Sequence, residues 1–83
     1  MTITHDSPLL PSSVSGLQLL PVRRDLWRVI DARGRALGHV LTRGTGPQRR
    51  YVAQRFRVAE RAFRDVGAFW TLQEAIECLR LSR

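Results

Sequence analysis

One stretch near the C-terminus, Thr71-Leu72-Gln73-Glu74-Ala75-Ile76-Glu77-Cys78-Leu79-Arg80-Leu81, carries Leu72, Ala75, Ile76 and Leu79 at three- and four-residue spacing. That period lines them up as one apolar stripe of an α-helix. Thr71 and Glu74 stand three residues apart, the spacing of a capping box in which hydroxyl and carboxylate satisfy each other's backbone amides. Phe69 or Trp70 ahead of the cap can staple the helix entry. Glu74 and Glu77 precede Arg80, the order that the helix dipole favours. Nothing upstream repeats this period, so the rest of the fold must be built around one short helix whose apolar stripe needs a surface to cover.

The remaining chain reads as short strands broken by turns. Leu26-Trp27-Arg28-Val29-Ile30 is rich in β-branched and aromatic residues, and Asp31-Ala32-Arg33-Gly34-Arg35 after it is a turn signal. A second run, 36–43, leads to Gly44-Thr45-Gly46-Pro47-Gln48, where glycine and proline break the chain again. A third run, 50–57, follows. Three strands in sequence joined by short loops pair most simply as an antiparallel meander. Leu17-Gln18-Leu19-Leu20-Pro21-Val22 is read either as a short edge strand ended by Pro21 or as a docked arm, and 58–68 as a linker. Residues 1–16, with two prolines, four serines and no regular apolar period, read as a flexible N-terminal arm. The expected fold is therefore α+β: a three-stranded antiparallel sheet packed on one C-terminal helix, forming a β-β-β-α domain over 17–83. The helix would cover one face of the sheet and leave the other open.

A chain of 83 residues has room for a modest core and little room for a catalytic pocket with its supporting shell, which argues for a non-enzymatic protein. Its apolar runs are too short for a membrane-spanning helix. Cys78 is the single cysteine and cannot form an internal disulfide, and residues 1–16 show no basic segment followed by a long apolar one. The expected setting is intracellular, in the cytoplasm.

Charge narrows the partner class. All 14 basic residues are arginine, against 7 carboxylates, for a net charge of +7. Within 17–70, twelve arginines face only Asp25, Asp31, Glu60 and Asp65, so the folded part carries the positive field. Guanidinium forks bind phosphate bidentately and stay charged at any relevant pH. Polyanions are the natural partners.

Strand alternation then selects residues. Trp27 and Val29 form the inward set of the first strand and leave Arg28 outward. In the second strand Val40 is expected inward, with His39 and Arg43 outward. In the third, Val52 and Phe56 are taken as inward and Tyr51, Ala53, Arg55 and Arg57 as outward. Arg33 and Arg35 sit at one hairpin tip, Arg49 and Arg50 at the other. A sheet studded with Arg28, Arg43, Arg55 and Arg57 suits the major groove of duplex DNA, with the tip arginines on flanking phosphates. The plain alternative is a solvated charged face that only keeps the protein soluble.

Other chemistries are poorly served. His5, His39 and Cys78 lack metal-site spacing, there is no GxxxxGK[ST] or GxGxxG pattern, and no nucleophile and carboxylate pair frames His39. No metal or cofactor is expected. Trp27, Phe56, Phe63, Phe69 and Trp70 are assigned to the core, and Cys78 to a packed position beside the apolar stripe.

The order Trp27-Arg28-Val29, a turn centred on Gly34, a third strand, then Gly67-Ala68-Phe69 leading into Thr71-Leu72-Gln73-Glu74-Ala75 resembles the AP2-like and integrase arm-type DNA-binding domains over residues 26–81. The resemblance implies three antiparallel strands and a C-terminal helix, with the sheet inserted in the major groove. No recombinase domain accompanies it here, so it implies a free-standing DNA binder. RNA ranks below DNA, because only Tyr51 is expected among the outward residues as a stacking surface. A reading from another class is an interaction module docking on an acidic protein partner or on RNA polymerase, steered by the same charge.

Overall fold

The computed structural model of the chain describes residues 10–14 and 16–81. Its elements are β1 (Ser13–Val14), β2 (Leu17–Arg23), β3 (Leu26–Ile30), β4 (Ala36–Arg43), a 3-10 turn at Gly46–Gln48, β5 (Arg50–Arg57), β6 (Ala62–Phe69) and α1 (Leu72–Leu81). Each strand pairs antiparallel with its chain neighbours, so sheet order follows chain order.

The expected three-stranded sheet is thus corrected to six strands. The three expected strands are β3, β4 and β5; β2 and β6 flank them, and short β1 adds to β2. β2 continues through Pro21, which pairs with Trp27. β1 reaches only Leu17 and Gln18, so β2 is an edge strand at Pro21, where a missing amide donor is tolerated. Two local features hide β6 from a reading of sequence pattern. The turn before it takes a left-handed residue at Arg61 (φ 53°), a conformation usually signalled by Gly or Asn. The strand itself slips register between Gly67, opposite Ala53, and Asp65, opposite Gln54. Val66 is the extra residue, and the bulge shifts the side-chain parity by one.

The expected arm meets the fold at its C-terminal end. Leu10 and Val14 pack against the core, and the Leu19 amide donates to the Ser12 carbonyl at 2.8 Å. Residues 1–9 and Ser15, the rest of that segment, lie outside the described residues.

One side of the sheet supplies Leu17, Leu19, Trp27, Val29, Val40 and Ala53 to the core, and α1 supplies Ala75, Ile76 and Leu79. Ile76 and Leu79 are fully buried, each contributing roughly 1.5–3 kcal/mol of hydrophobic stabilisation. The helix lies against β4, β5 and β6. Its start has the expected reciprocal cap: the Glu74 amide donates to Thr71 Oγ1 at 3.2 Å, and the Thr71 amide donates to Glu74 Oε1 at 3.2 Å. Beneath its far end, β4 slips register so that Leu37 lies between the Ile30↔Ala36 and Val29↔Gly38 pairs. Gly38 itself is required for space. A Cβ there would overlap the Gln54 carbonyl oxygen and come within 3.0 Å of Leu79 Cδ2.

These contacts set a contrast between two alanine substitutions. Thr71→Ala removes one cap and lowers unfolding free energy by about 1 kcal/mol. Gly38→Ala forces backbone of β4 and β5 apart and costs about 1–3 kcal/mol. Urea denaturation of both variants checks the order, and a Gly38→Ala midpoint equal to the parent's would contradict the close approach.

Candidate nucleic-acid interface

The helix divides the sheet into a covered and an uncovered side. Ala53 belongs to the helix-side core and Tyr51 packs against it, which reverses the expected outward set of β5. The reason is that both parities of this strand carry buried apolar groups: Ala53 is fully buried and Val52, on the other side, is nearly so. Alternation alone could not say which side receives the helix. Small Ala53 faces it, and Tyr51, Arg55 and Arg57 share its parity.

The eight expected contact arginines consequently separate. Arg28 is exposed on the uncovered side, in register with His39, Gln54 and Asp65 across β3 to β6. Arg43 shares that side. Its Nη1 lies 3.3 Å from Asp65 Oδ2, while Gln54 Nε2 donates to Asp65 Oδ1 at 2.8 Å. The Gln54 bond first, and then Arg43, hold the Asp65 carboxyl below the usual carboxylate range. Arg49 and Arg50 are half-buried instead of projecting from their turn. The Arg50 guanidinium lies 4.3 Å from the Trp70 ring centroid and donates to the Ala68 carbonyl at 3.3 Å. Arg55, on the helix side, donates from Nη2 to the Leu79 carbonyl at 2.8 Å, satisfying an acceptor left over at the end of α1. Arg57 is exposed on the same side as Arg55.

Arg33 and Arg35 are exposed on the β3–β4 tip, and the tip is braced from within. Asp31 Oδ1 accepts the amides of both arginines at 2.9 Å. The Gly34 amide donates to the Asp31 carbonyl at 2.9 Å, with Gly34 at φ 83°, where glycine carries no Cβ penalty. The Arg35 amide is the main reason that the Asp31 carboxyl sits below its ordinary range. Arg33, Arg35, Arg55 and Arg80 together border an open pocket of about 600 Å³, whose apolar lining includes Leu17, Leu37 and Leu79. Asp31 is the sole carboxylate among its described lining residues. Antiparallel pairing puts the β5–β6 turn, flanked by Arg57 and containing Arg61, at this same end of the sheet.

The uncovered side also holds aromatic rings that the sequence pattern assigns to the core. Trp27 is buried and Phe69 packs against the core, as expected. Phe56, Phe63 and Trp70 are instead 51%, 38% and 58% exposed. Phe56 and Phe63 are cross-strand partners, with ring centroids 5.3 Å apart at 66°. His39 stacks on Phe63 at 3.9 Å and 14°. It lies on the expected side, yet is only 6% exposed, and its Nε2 has no hydrogen-bond partner among the described residues. Burial, then the charges of Arg28 and Arg23, push its pKa below the ordinary 6.5. The β5–β6 register is the signal that sequence pattern lacks: once Arg57 is paired with Ala62, Phe56 must face Phe63. Arg80 and Arg61, which no strand pattern could place, join the basic end through the helix terminus and the turn.

Cys78 is half-buried against the core. Among the described residues no three His, Cys, Asp or Glu side chains come together as a metal site, and no helix is long and apolar enough to cross a membrane. No protein-family model, curated protein or solved structure matches the chain. The three-stranded sheet implied by the AP2-like resemblance is replaced by six strands.

A buried imidazole with a lowered pKa has a definite pH signature. As pH falls below 6.5 the unfolded chain takes up a proton before folded His39 does, so the stability present above pH 6.5 declines progressively below it. The lowered carboxylates Asp31, Glu60 and Asp65 act in a separate window, below about their ordinary values of 3.8 to 4.5. Denaturation midpoints should fall between pH 7 and pH 5, and His39→Gln should flatten that dependence; an unchanged slope in the variant would place the titration elsewhere.

Proposed function

We propose that this chain is a non-enzymatic nucleic-acid-binding domain whose principal phosphate contacts lie at its arginine-bearing end. The observation that carries the reading is the convergence of Arg33, Arg35, Arg55 and Arg80 on one open pocket with Asp31 as the single carboxylate among its described lining residues, beside a second hairpin turn flanked by Arg57 and containing Arg61. A field of this sign on a protein of net charge +7 attracts polyanions and displaces their counterions. Arg33 and Arg35 are the strongest candidates for phosphate contact, because Asp31 fixes the backbone beneath them and holds the Arg35 guanidinium through Nε at 3.5 Å, so less conformational freedom is given up on binding. Arg28 adds positive charge on the uncovered side, where Arg43 is held by Asp65. Duplex DNA remains the first ligand to test; the projecting β3–β4 and β5–β6 turns would meet its phosphates from one end of the sheet. Docking on an acidic protein would draw on the same field.

Anisotropy titration of a labelled 20-base-pair duplex over a salt series tests this. The parent should bind, with affinity falling steeply as salt rises. Arg33→Ala with Arg35→Ala should weaken binding to every sequence and reduce the slope of log K against log salt by about 0.9 for each phosphate that is no longer neutralised. An unchanged slope in a folded double variant would overturn this set of contacts. A parent that binds neither duplex nor single strands at low salt, and instead retains one acidic protein after nuclease treatment, would favour the protein-docking reading.

A further inference from the structure

Phe56 and Phe63 occupy the side of the sheet that the helix leaves bare, directly opposite one another across β5 and β6. Rings left 51% and 38% exposed keep apolar area in water that a partner could cover, and a pair of neighbouring exposed rings on a strongly charged surface marks a contact site more than a packing defect. Their support is ordered. His39 lies flat against one side of the Phe63 ring at 3.9 Å, and Phe56 meets that ring edge-on, so the rings are held in place before any partner arrives. Arg28 stands beside His39 in register, and both Arg28 and Arg23 lie close enough to His39 to oppose its protonation, Arg23 while its Nε meets Asp25 Oδ1 at 3.3 Å.

Resting on the nucleic-acid reading above, we infer that this uncovered side binds single-stranded nucleic acid, with unpaired bases stacking on Phe56 and Phe63 and the backbone phosphates meeting Arg28 and Arg23. Charge complementarity selects this occupant: flat rings bordered by guanidinium groups match the alternation of base and phosphate along an open strand. A duplex does not fit the same rings, because its base faces are already stacked on one another. Sequence pattern alone places RNA below DNA for want of outward aromatics. Tyr51 does turn out to face the helix side, but two phenylalanines expected in the core take the uncovered side instead.

Anisotropy titrations of the full chain with labelled dT12, rU12 and a 12-base-pair duplex at one low salt concentration test the inference. DNA and RNA strands share the stacking chemistry, and the first two probes separate them. The parent should bind at least one strand. Phe56→Leu and Phe63→Leu keep apolar bulk at each position while removing the flat ring; each should weaken strand binding by roughly 5- to 150-fold and leave duplex binding unchanged. Phe56→Trp should preserve strand affinity, and thermal midpoints near the parent's exclude unfolding as the cause. Strand binding untouched by both leucine variants but weakened by Arg33→Ala with Arg35→Ala would overturn the stacking site and leave the nucleic-acid reading standing. Equal weakening on strands and duplex would overturn the preference for unpaired bases. No binding to any of the three probes would overturn both readings.

Discussion

The fold depends on one packing contact: a ten-residue helix laid over the β4–β5–β6 part of a six-stranded sheet. Ile76 and Leu79 are fully buried there, against a sheet surface that includes Val29, Val40 and Ala53. A helix this short has little stability of its own, and most of what holds it is the apolar stripe it buries. The close approach needs small residues beneath it. Ala53 and Gly38 supply them, and the Gly38 position has no room for a methyl group.

That contact also decides what becomes of the charge. Because Ala53 faces the helix, Arg55 two residues on is carried to the end of α1, where it binds the Leu79 carbonyl. A guanidinium that strand alternation would place in an open groove instead closes a helix terminus. The same placement brings it beside Arg33, Arg35 and Arg80, so positive charge accumulates at one end of the sheet and not along a single row of strands. Much of the charge is locally balanced. Arg43 meets Asp65, Arg23 meets Asp25, Arg64 meets Glu60 and, at the basic end itself, Arg35 meets Asp31 and Arg80 meets Glu77, pairs that contribute little to stability but moderate the field around them.

With the helix on one side, the opposite side of the sheet must meet water or a partner. Its central row contains Arg28, His39, Gln54 and Asp65, a polar series that would be costly to bury. Phe56 and Phe63 lie at the margin of that row, and His39 beneath Phe63 is sheltered, its Nε2 without a hydrogen bond to any described residue. The protein thus offers two chemically different surfaces: an arginine-bordered end shaped by backbone turns, and an aromatic patch shaped by one hairpin register.

The sequence by itself determined the elements whose causes are local. The helix and its Thr71–Glu74 cap follow from spacing within one turn, and β3, β4 and the Asp31–Arg35 tip follow from residue type and a glycine. The sign of the charge and its concentration before the helix are properties of composition. Tertiary structure decided the number of strands, since β6 begins after a left-handed Arg61 and contains a bulge at Val66, neither of which leaves a regular period. It also decided which side of β5 faces the helix. Val52 and Ala53 are both buried, and only the docking of α1 distinguishes the two parities. On that choice rest the inward turn of Arg55 and the exposure of Phe56, because a one-residue change of parity exchanges every side chain of a strand between the two sides of a sheet.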